Sequence, residues 1–172
     1  MNSENVSDEF CRLSIDLLEQ AMIKIRHCLA QLDDEQIWSR PEPSLNSIGN
    51  LCLHIAGNLR QWGIVPFTDV SDQRDRGKEF ADAPKTGASE ILSDLENVVC
   101  ESKAIWLTLE ANVLLQRTTI QGFEVTKMQA ISHTSSHFVG HTHQIIMLTR
   151  WLLGEAYRFQ WTPESGSENV PL

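Results

Sequence analysis

The sequence predicts an all-α fold, a four-helix bundle, on three observations. Apolar residues recur at three- and four-residue steps in four separate stretches, the pattern of helices with one buried face. The six prolines fall between those stretches or beyond the last of them. The longest connection, residues 67–86, is crowded with charge and long enough to cross over the end of a bundle. A single domain over residues 1–172 is expected, with residues 155–172 as an irregular tail, since 172 residues suffice to bury a core.

The first predicted helix spans residues 7–32. Its apolar stripe is Phe10, Leu13, Leu17, Ala21, Ile25, Cys28 and Leu32. Ser7, followed by Asp8 and Glu9, supplies a side-chain cap and acids against the positive end of the helix dipole. Asp33 to Ser44 then breaks the pattern: Pro41 and Pro43 bracket an extended turn, and Trp38 within this segment is expected to pin the chain onto the bundle.

The second helix is predicted from 44–46 to Val65, where Pro66 opposes its continuation. Ile48, Leu51, Cys52, Ile55, Leu59 and Trp62 form its apolar face. Beside that face run Ser47, Asn50, His54, Asn58 and Gln61, every one polar and none charged. A solvent face is ordinarily salted with lysine and glutamate. Uncharged polar groups next to an apolar face suggest the wall of an internal, partly wet cavity, because buried polar groups need partners.

Residues 67–86 include Asp69, Asp72, Arg74, Asp75, Arg76, Lys78, Glu79 and Asp82 and are expected to form a solvated crossover that lets the second and third helices run parallel. The alternative is that Arg74 and Arg76 close over a site and hold an anionic substrate. The third helix is predicted over 88–110, with Ile91, Leu95, Val98, Ser102, Ile105 and Leu109 on one stripe and Leu92, Val99 and Trp106 beside it. The β-prone stretch QRTTIQGFEVTK, with Gly122 between Ile120 and Phe123, predicts a two-stranded hairpin. The fourth helix is predicted from Thr126 to Leu153, with Gly154 as its C-terminal cap. Its core face is Met128, Ile131, Phe138, Val139, Ile145, Ile146 and Leu152. In the tail, Phe159 and Trp161 are expected to tack the first half onto the bundle.

Composition narrows the function. A net charge of −9 without any basic run argues against a nucleic-acid phosphate surface. No apolar run reaches the length of a membrane span, and MNSENVSDEF lacks the basic and apolar regions of a signal peptide, so a cytoplasmic location is expected. Cys11, Cys28, Cys52 and Cys100 are scattered without a C-x-x-C pair and read as buried, reduced thiols.

The chemistry concentrates in HTSSHFVGHTHQ, residues 133–144, where His133, His137 and His141 repeat every fourth residue. In a helix that spacing advances about 40° past a full turn per step, so the imidazoles form one slowly drifting row. His143 is rotated about 120° from His137 and leaves the row. Two imidazoles at i and i+4 can grip one divalent transition ion, and a third ligand is needed for tight binding. The candidates for it are His54 and His27, of which His27 lies among Lys24, Arg26 and Gln31 and reads as exposed.

A family resemblance adds to this. It is carried by Asn46-Ser47-Ile48-Gly49-Asn50-Leu51, His54 with Gly57-Asn58-Leu59-Arg60, Arg74-Asp75-Arg76, Glu79-Phe80, and His137-Phe-Val-Gly-His141-Thr-His143-Gln144-Ile145. The chain resembles the DinB/YfiT-like superfamily of bacterial four-helix bundles and is similar to a largely uncharacterised DinB-like family within it. The resemblance implies an up-down-down-up arrangement and a divalent metal held by His54, His137 and His141. His143 stands where a glycine is common in that superfamily. The metal implied is zinc or nickel, with iron or copper also compatible with three imidazoles. His133 becomes a candidate for proton transfer, and Asn50, Asn58 and Gln144 for orienting the ligands.

The expected function is that of a metal-dependent transferase or hydrolase acting on a small molecule, with a low-molecular-weight thiol or water as the activated nucleophile. The competing expectation is a stress-associated homodimer with a non-catalytic metal or none. Exposed faces of Trp106 or Trp151 are candidates for dimerisation, and no cavity-lining position reads as carrying a carboxylate.

Overall fold

The computed structural model describes residues 3–80 and 86–160. The expected tail contact of Trp161 and the tail positions beyond it lie outside the described residues, as do Asp82 and Pro84 of the crossover. The described chain is mainly helical with one small sheet. Its elements are α1 (Ser3–Leu29), α2 (Asp34–Trp38), α3 (Ile48–Leu59), α4 (Arg76–Glu79), α5 (Ala88–Trp106), α6 (Ala111–Leu114), β1 (Arg117–Ile120), β2 (Phe123–Thr126) and α7 (Lys127–Leu153). The long helix α1 packs along α7 and α5, while α3 packs against α5 and α7.

The first helix differs from its expectation in two respects. It begins at Ser3, so Ser7 is a buried residue inside α1 rather than its cap. Nothing in Ser3-Glu4-Asn5-Val6 breaks a helix, and the acids at 8 and 9 suit a second turn as well as a first. Ala21, Ile25 and Cys28 of the expected stripe are buried, joined by Cys11, Ile15, Leu18, Met22 and Leu29, whereas Leu13 and Leu17 face outward at 54% and 44% exposure. Both stripes keep helical spacing, and the partner helices select between them.

Helix α2 lies inside the Asp33 to Ser44 segment, which was expected to break the helical pattern. Asp33 caps it in a reciprocal box with Gln36. Trp38 then does what was expected of it and more. Its ring lies against Gly49, where a Cβ would collide with the six-membered ring, and its indole N–H donates to the Thr86 carbonyl at 2.9 Å. One side chain thereby anchors the turn to α3 and the far end of the crossover.

Helix α3 is capped by Ser47, whose hydroxyl accepts from the Asn50 amide while the Asn50 side chain accepts from the Ser47 amide. Beyond Leu59 the helix widens into a π-helical turn, Arg60–Ile64, and closes with a 3-10 turn that takes up Pro66. The apolar face expected for this helix is buried throughout.

The third helix ends at Trp106, four residues short of its expected end. The indole of Trp106 is fully buried and donates to the Gly63 carbonyl at 2.8 Å, and the chain turns there through i→i+3 bonds at Thr108 and Leu109. Trp106 therefore presents no face for dimerisation, while Trp151 is 60% exposed.

The hairpin pairs Arg117 with Thr126 through Ile120 with Phe123. Its two-residue turn has φ of 53° at Gln121 and 83° at Gly122, the left-handed pair that a tight hairpin of this length demands. Thr126 ends the strand and caps α7 in a reciprocal box with Gln129. Gly154, at φ 51°, stops the helix.

Three cysteines, Cys11, Cys28 and Cys52, are buried and Cys100 is exposed, which corrects the expectation for the fourth; none is bridged. Burial pushes the Cys52 thiol up to about 12, so it packs as an apolar group.

Candidate metal centre

The uncharged stripe on α3 turns inward in full. Ser47, Asn50, His54, Asn58 and Gln61 are all less than a tenth exposed, and each has a partner. The row on α7 faces the same seam. Thr134, Phe138 and Thr142 are buried one step from the histidines, which holds α7 at a fixed rotation against α3. The Thr134 hydroxyl donates to Asn58 Oδ1 at 2.9 Å and ties the two helices together directly.

This rotation brings His54, His137 and His141 to one point. One ring nitrogen from each lies within 4.8 Å of the others. His137 Nε2 and His54 Nε2 are 2.9 Å apart. The ring centroids of His54 stand 5.0 Å from those of both His137 and His141, and the latter two are 4.4 Å apart. Nitrogens ligating one tetrahedral ion at about 2.0–2.1 Å would stand about 3.3 Å apart, so small rotations of these rings suffice.

The electrostatics suit a cation ligand set. Burial, then the neighbouring rings of His141, His54 and His133, and then Arg74 bring the pKa of His137 down to about 4. Burial also lowers His141, partly offset by its bond to Gln144. A neutral imidazole keeps one bare ring nitrogen, so at neutral pH His137 and His141 each have a lone pair to offer an ion. By donor type and convergence, the three residues fit a divalent transition ion.

The remaining predicted residues sit as follows. Gln144 Oε1 accepts from His141 Nδ1 at 2.8 Å, leaving Nε2 of that ring free to face the cluster. Asn58 holds Thr134 and has no described contact with the ligand rings. Asn50 is part of the α3 cap, and its amide donates to the Glu79 carbonyl at 2.9 Å. His133 lies against Trp62 at 4.1 Å, tilted by 36°, and is near parallel to His137 at 5.6 Å. His143 is exposed on a different side of α7. His27 accepts no role in the cluster; its Nε2 bonds the Arg158 carbonyl at 2.6 Å, and its ring meets Tyr157 edge-on.

Two residues of the crossover join the site, against the expectation of a solvated loop and of a site without a carboxylate. The Arg74 and Glu79 side chains are only 5% and 9% exposed. Glu79 Oε2 lies 2.9 Å from His54 Nδ1, and Arg74 grips both carboxylate oxygens, at 2.6 Å from Nε and 2.8 Å from Nη2. Burial pushes the Glu79 carboxyl up, but hydrogen bonds from His54 and Arg74 and the Arg74 charge outweigh it, and the net shift is downward. Arg74 Nη1 also donates to Gln61 Oε1 at 2.8 Å, which the hairpin-turn residue Gln121 shares at 2.6 Å. Phe80 covers the outer side of His54 at 4.9 Å. The sequence does hold a signal for this inward turn: a buried stripe of five uncharged polar residues needs partners, and the nearest rich supply follows in the crossover.

A family model described as "Protein of unknown function (DUF1572)" matches residues 5–165. No curated protein gives a significant match. A solved structure described as the crystal structure of the conserved protein of locus from Enterococcus faecalis superposes with a TM-score of 0.69, at 18% identity, over 83% of this chain and 96% of that one. At such identity the likeness speaks for the fold alone. No helix among the described residues is long and apolar enough to cross a membrane.

Proposed function

This chain belongs to the family described as protein of unknown function DUF1572, and from that premise we propose that it is a metal-dependent enzyme with a four-helix bundle of the DinB/YfiT-like kind. The metal is a divalent transition ion, zinc or nickel first, held by His54, His137 and His141. The observation that carries this is the convergence of three imidazoles from two different helices within 4.8 Å.

When bound, an ion with three imidazole ligands keeps an open position and acidifies a water or a thiol near neutral pH. The chain's own residues do the rest. Gln144 holds the His141 ring by its Nδ1. His133, whose pKa burial lowers, is neutral at pH 7 and accepts the proton that the nucleophile releases. Phe80 packs against the buried His54, while His133 lies against Trp62 and stays open to solvent. A groove of about 610 Å³ has Gly57, Ile64, Arg74 and Glu79 in its walls and none of the four histidines, so it meets the site only through the Arg74–Glu79 pair. In the S-transfer form of the reaction, the thiol sulfur bonds to an electrophilic carbon, the bond to the leaving group breaks, and the thiol proton passes to His133.

Elemental analysis of the protein purified without chelator tests the premise, with close to one transition ion per chain expected and almost none in His137→Ala. Equal, negligible metal in both would sink the proposal. Incubation with a low-molecular-weight thiol and an electrophilic test substrate then separates thioether formation from hydrolysis.

A further inference from the structure

We propose that Glu79 is a positioning residue: it decides which nitrogen of His54 faces the other two histidines, and so makes the crossover a working part of the metal centre. This deepens the three-histidine reading above and rests on it for its consequence, though not for its geometry.

An ionised carboxylate accepts hydrogen bonds and donates none. Glu79 Oε2 at 2.9 Å is the nearer neighbour of His54 Nδ1 and assigns it the ring proton, while Arg74 Nη2, 3.1 Å from the same atom, has Glu79 Oε2 at 2.8 Å and the His54 carbonyl at 3.4 Å as its acceptors. Nε2 of His54 is then the bare nitrogen, and it points at His137. The opposite tautomer would aim an N–H at the common point and remove one of the three ligands. Gln144 cannot impose the same choice on His141 so strictly, because a side-chain amide can turn over and offer either its oxygen or its NH2 group.

The placement of Glu79 is built from several directions. A Cβ on Gly57 would fall inside the contact radius of Glu79 Oε1, so the absence of a side chain at 57 admits the carboxylate. Asn50 holds the Glu79 carbonyl at 2.9 Å, and Arg40 holds the Phe80 carbonyl at 3.0 Å. Arg74 binds both carboxylate oxygens and is itself held by Gln61. Asn50, His54, Gly57 and Gln61 follow one another along one side of the same helix and its π turn. The ligand and the parts that seat its partner therefore share one rigid element.

The test compares full-length wild type with Glu79→Gln, whose amide accommodates either tautomer. Long-range 15N–1H correlation spectra of the metal-free protein report the tautomer of His54, with His54→Asn identifying its signals. Wild type is expected to show the Nδ1–H form alone and Glu79→Gln a mixture. Zinc affinity by indicator competition is expected to fall about 10- to 100-fold in the variant. Glu79→Asp keeps the charge but withdraws the carboxylate by one methylene, and it should show a smaller loss; it also carries the comparison if Glu79→Gln does not fold. A variant with an unchanged His54 tautomer and zinc affinity within twofold of wild type would overturn the proposal. If wild type itself binds no zinc while the tautomer still shifts in Glu79→Gln, the positioning role stands and the metal reading of the previous section fails.

Discussion

His137 is the residue most altered by its surroundings. Burial and three neighbouring rings hold it neutral far below the pH where a free imidazole protonates. His133 feels a milder version of the same desolvation, with one face against Trp62 and the other toward His137. The two are one turn apart, yet only His137 has a ring nitrogen in hydrogen-bond reach of His54. That division assigns His137 to binding and His133 to proton transfer. His133→Phe, which keeps a ring against Trp62, is expected to keep metal content at the wild-type level while turnover falls by about 100-fold or more, the usual worth of a positioned base. Parallel metal analysis and kinetics would check it, and a joint loss of both would place His133 among the ligands instead.

Helix α3 unites two different faces on one rod. Its apolar face enters the core, and its polar face is satisfied residue by residue by α7, the crossover and the hairpin turn. The π turn at Arg60–Ile64 presents both Gln61 to the crossover and the Gly63 carbonyl to Trp106. Such a widened turn shifts side-chain direction without ending the helix. The bond from Thr134 to Asn58 is the one that sets the histidines of α7 against His54. Thr134→Val keeps the shape and leaves the Asn58 oxygen buried and unpaired. A loss of about 1–3 kcal/mol in stability is expected, measurable by urea titration. A value near zero would mean that the helices are held in register by apolar packing alone.

For the whole molecule, pH acts through the same site. His137 and His141 have folded pKa values below the ordinary 6.5. Between those values and 6.5 the unfolded chain therefore binds more protons than the folded one, and stability falls as pH drops through that window. Glu79 works in the same sense. Its folded pKa lies below the ordinary 4.5, so its contribution is present above that value and fades as pH falls further. The metal-free protein is expected to lose melting temperature steadily from pH 7 to pH 4, as read by circular dichroism. A flat profile over that range would contradict the half-buried, neutral state of the two histidines.

Much of this architecture is legible in local pattern. The limits of α7 follow from a threonine cap and a terminal glycine, and the hairpin follows from β-prone residues around Gln121-Gly122, because each is set by backbone preferences of a few neighbours. The inward turn of the α3 polar stripe is legible too, since the absence of charge over five positions marks a face removed from water. By contrast, α1 offers two stripes of equal helical spacing, and Leu13 and Leu17 lose to Ile15 and Leu18 only because α5 and α7 lie on that side. Arg74 and Glu79 lie in a stretch whose composition favours solvent. They are buried because each neutralises the other and because Gly57 leaves space beneath them. The sequence by itself determined which residues are helical and which imidazoles share a helix face, both matters of short-range periodicity. Only the tertiary structure decided that His54 meets them and that a crossover carboxylate stands at its back, because contacts between distant segments depend on how whole helices pack.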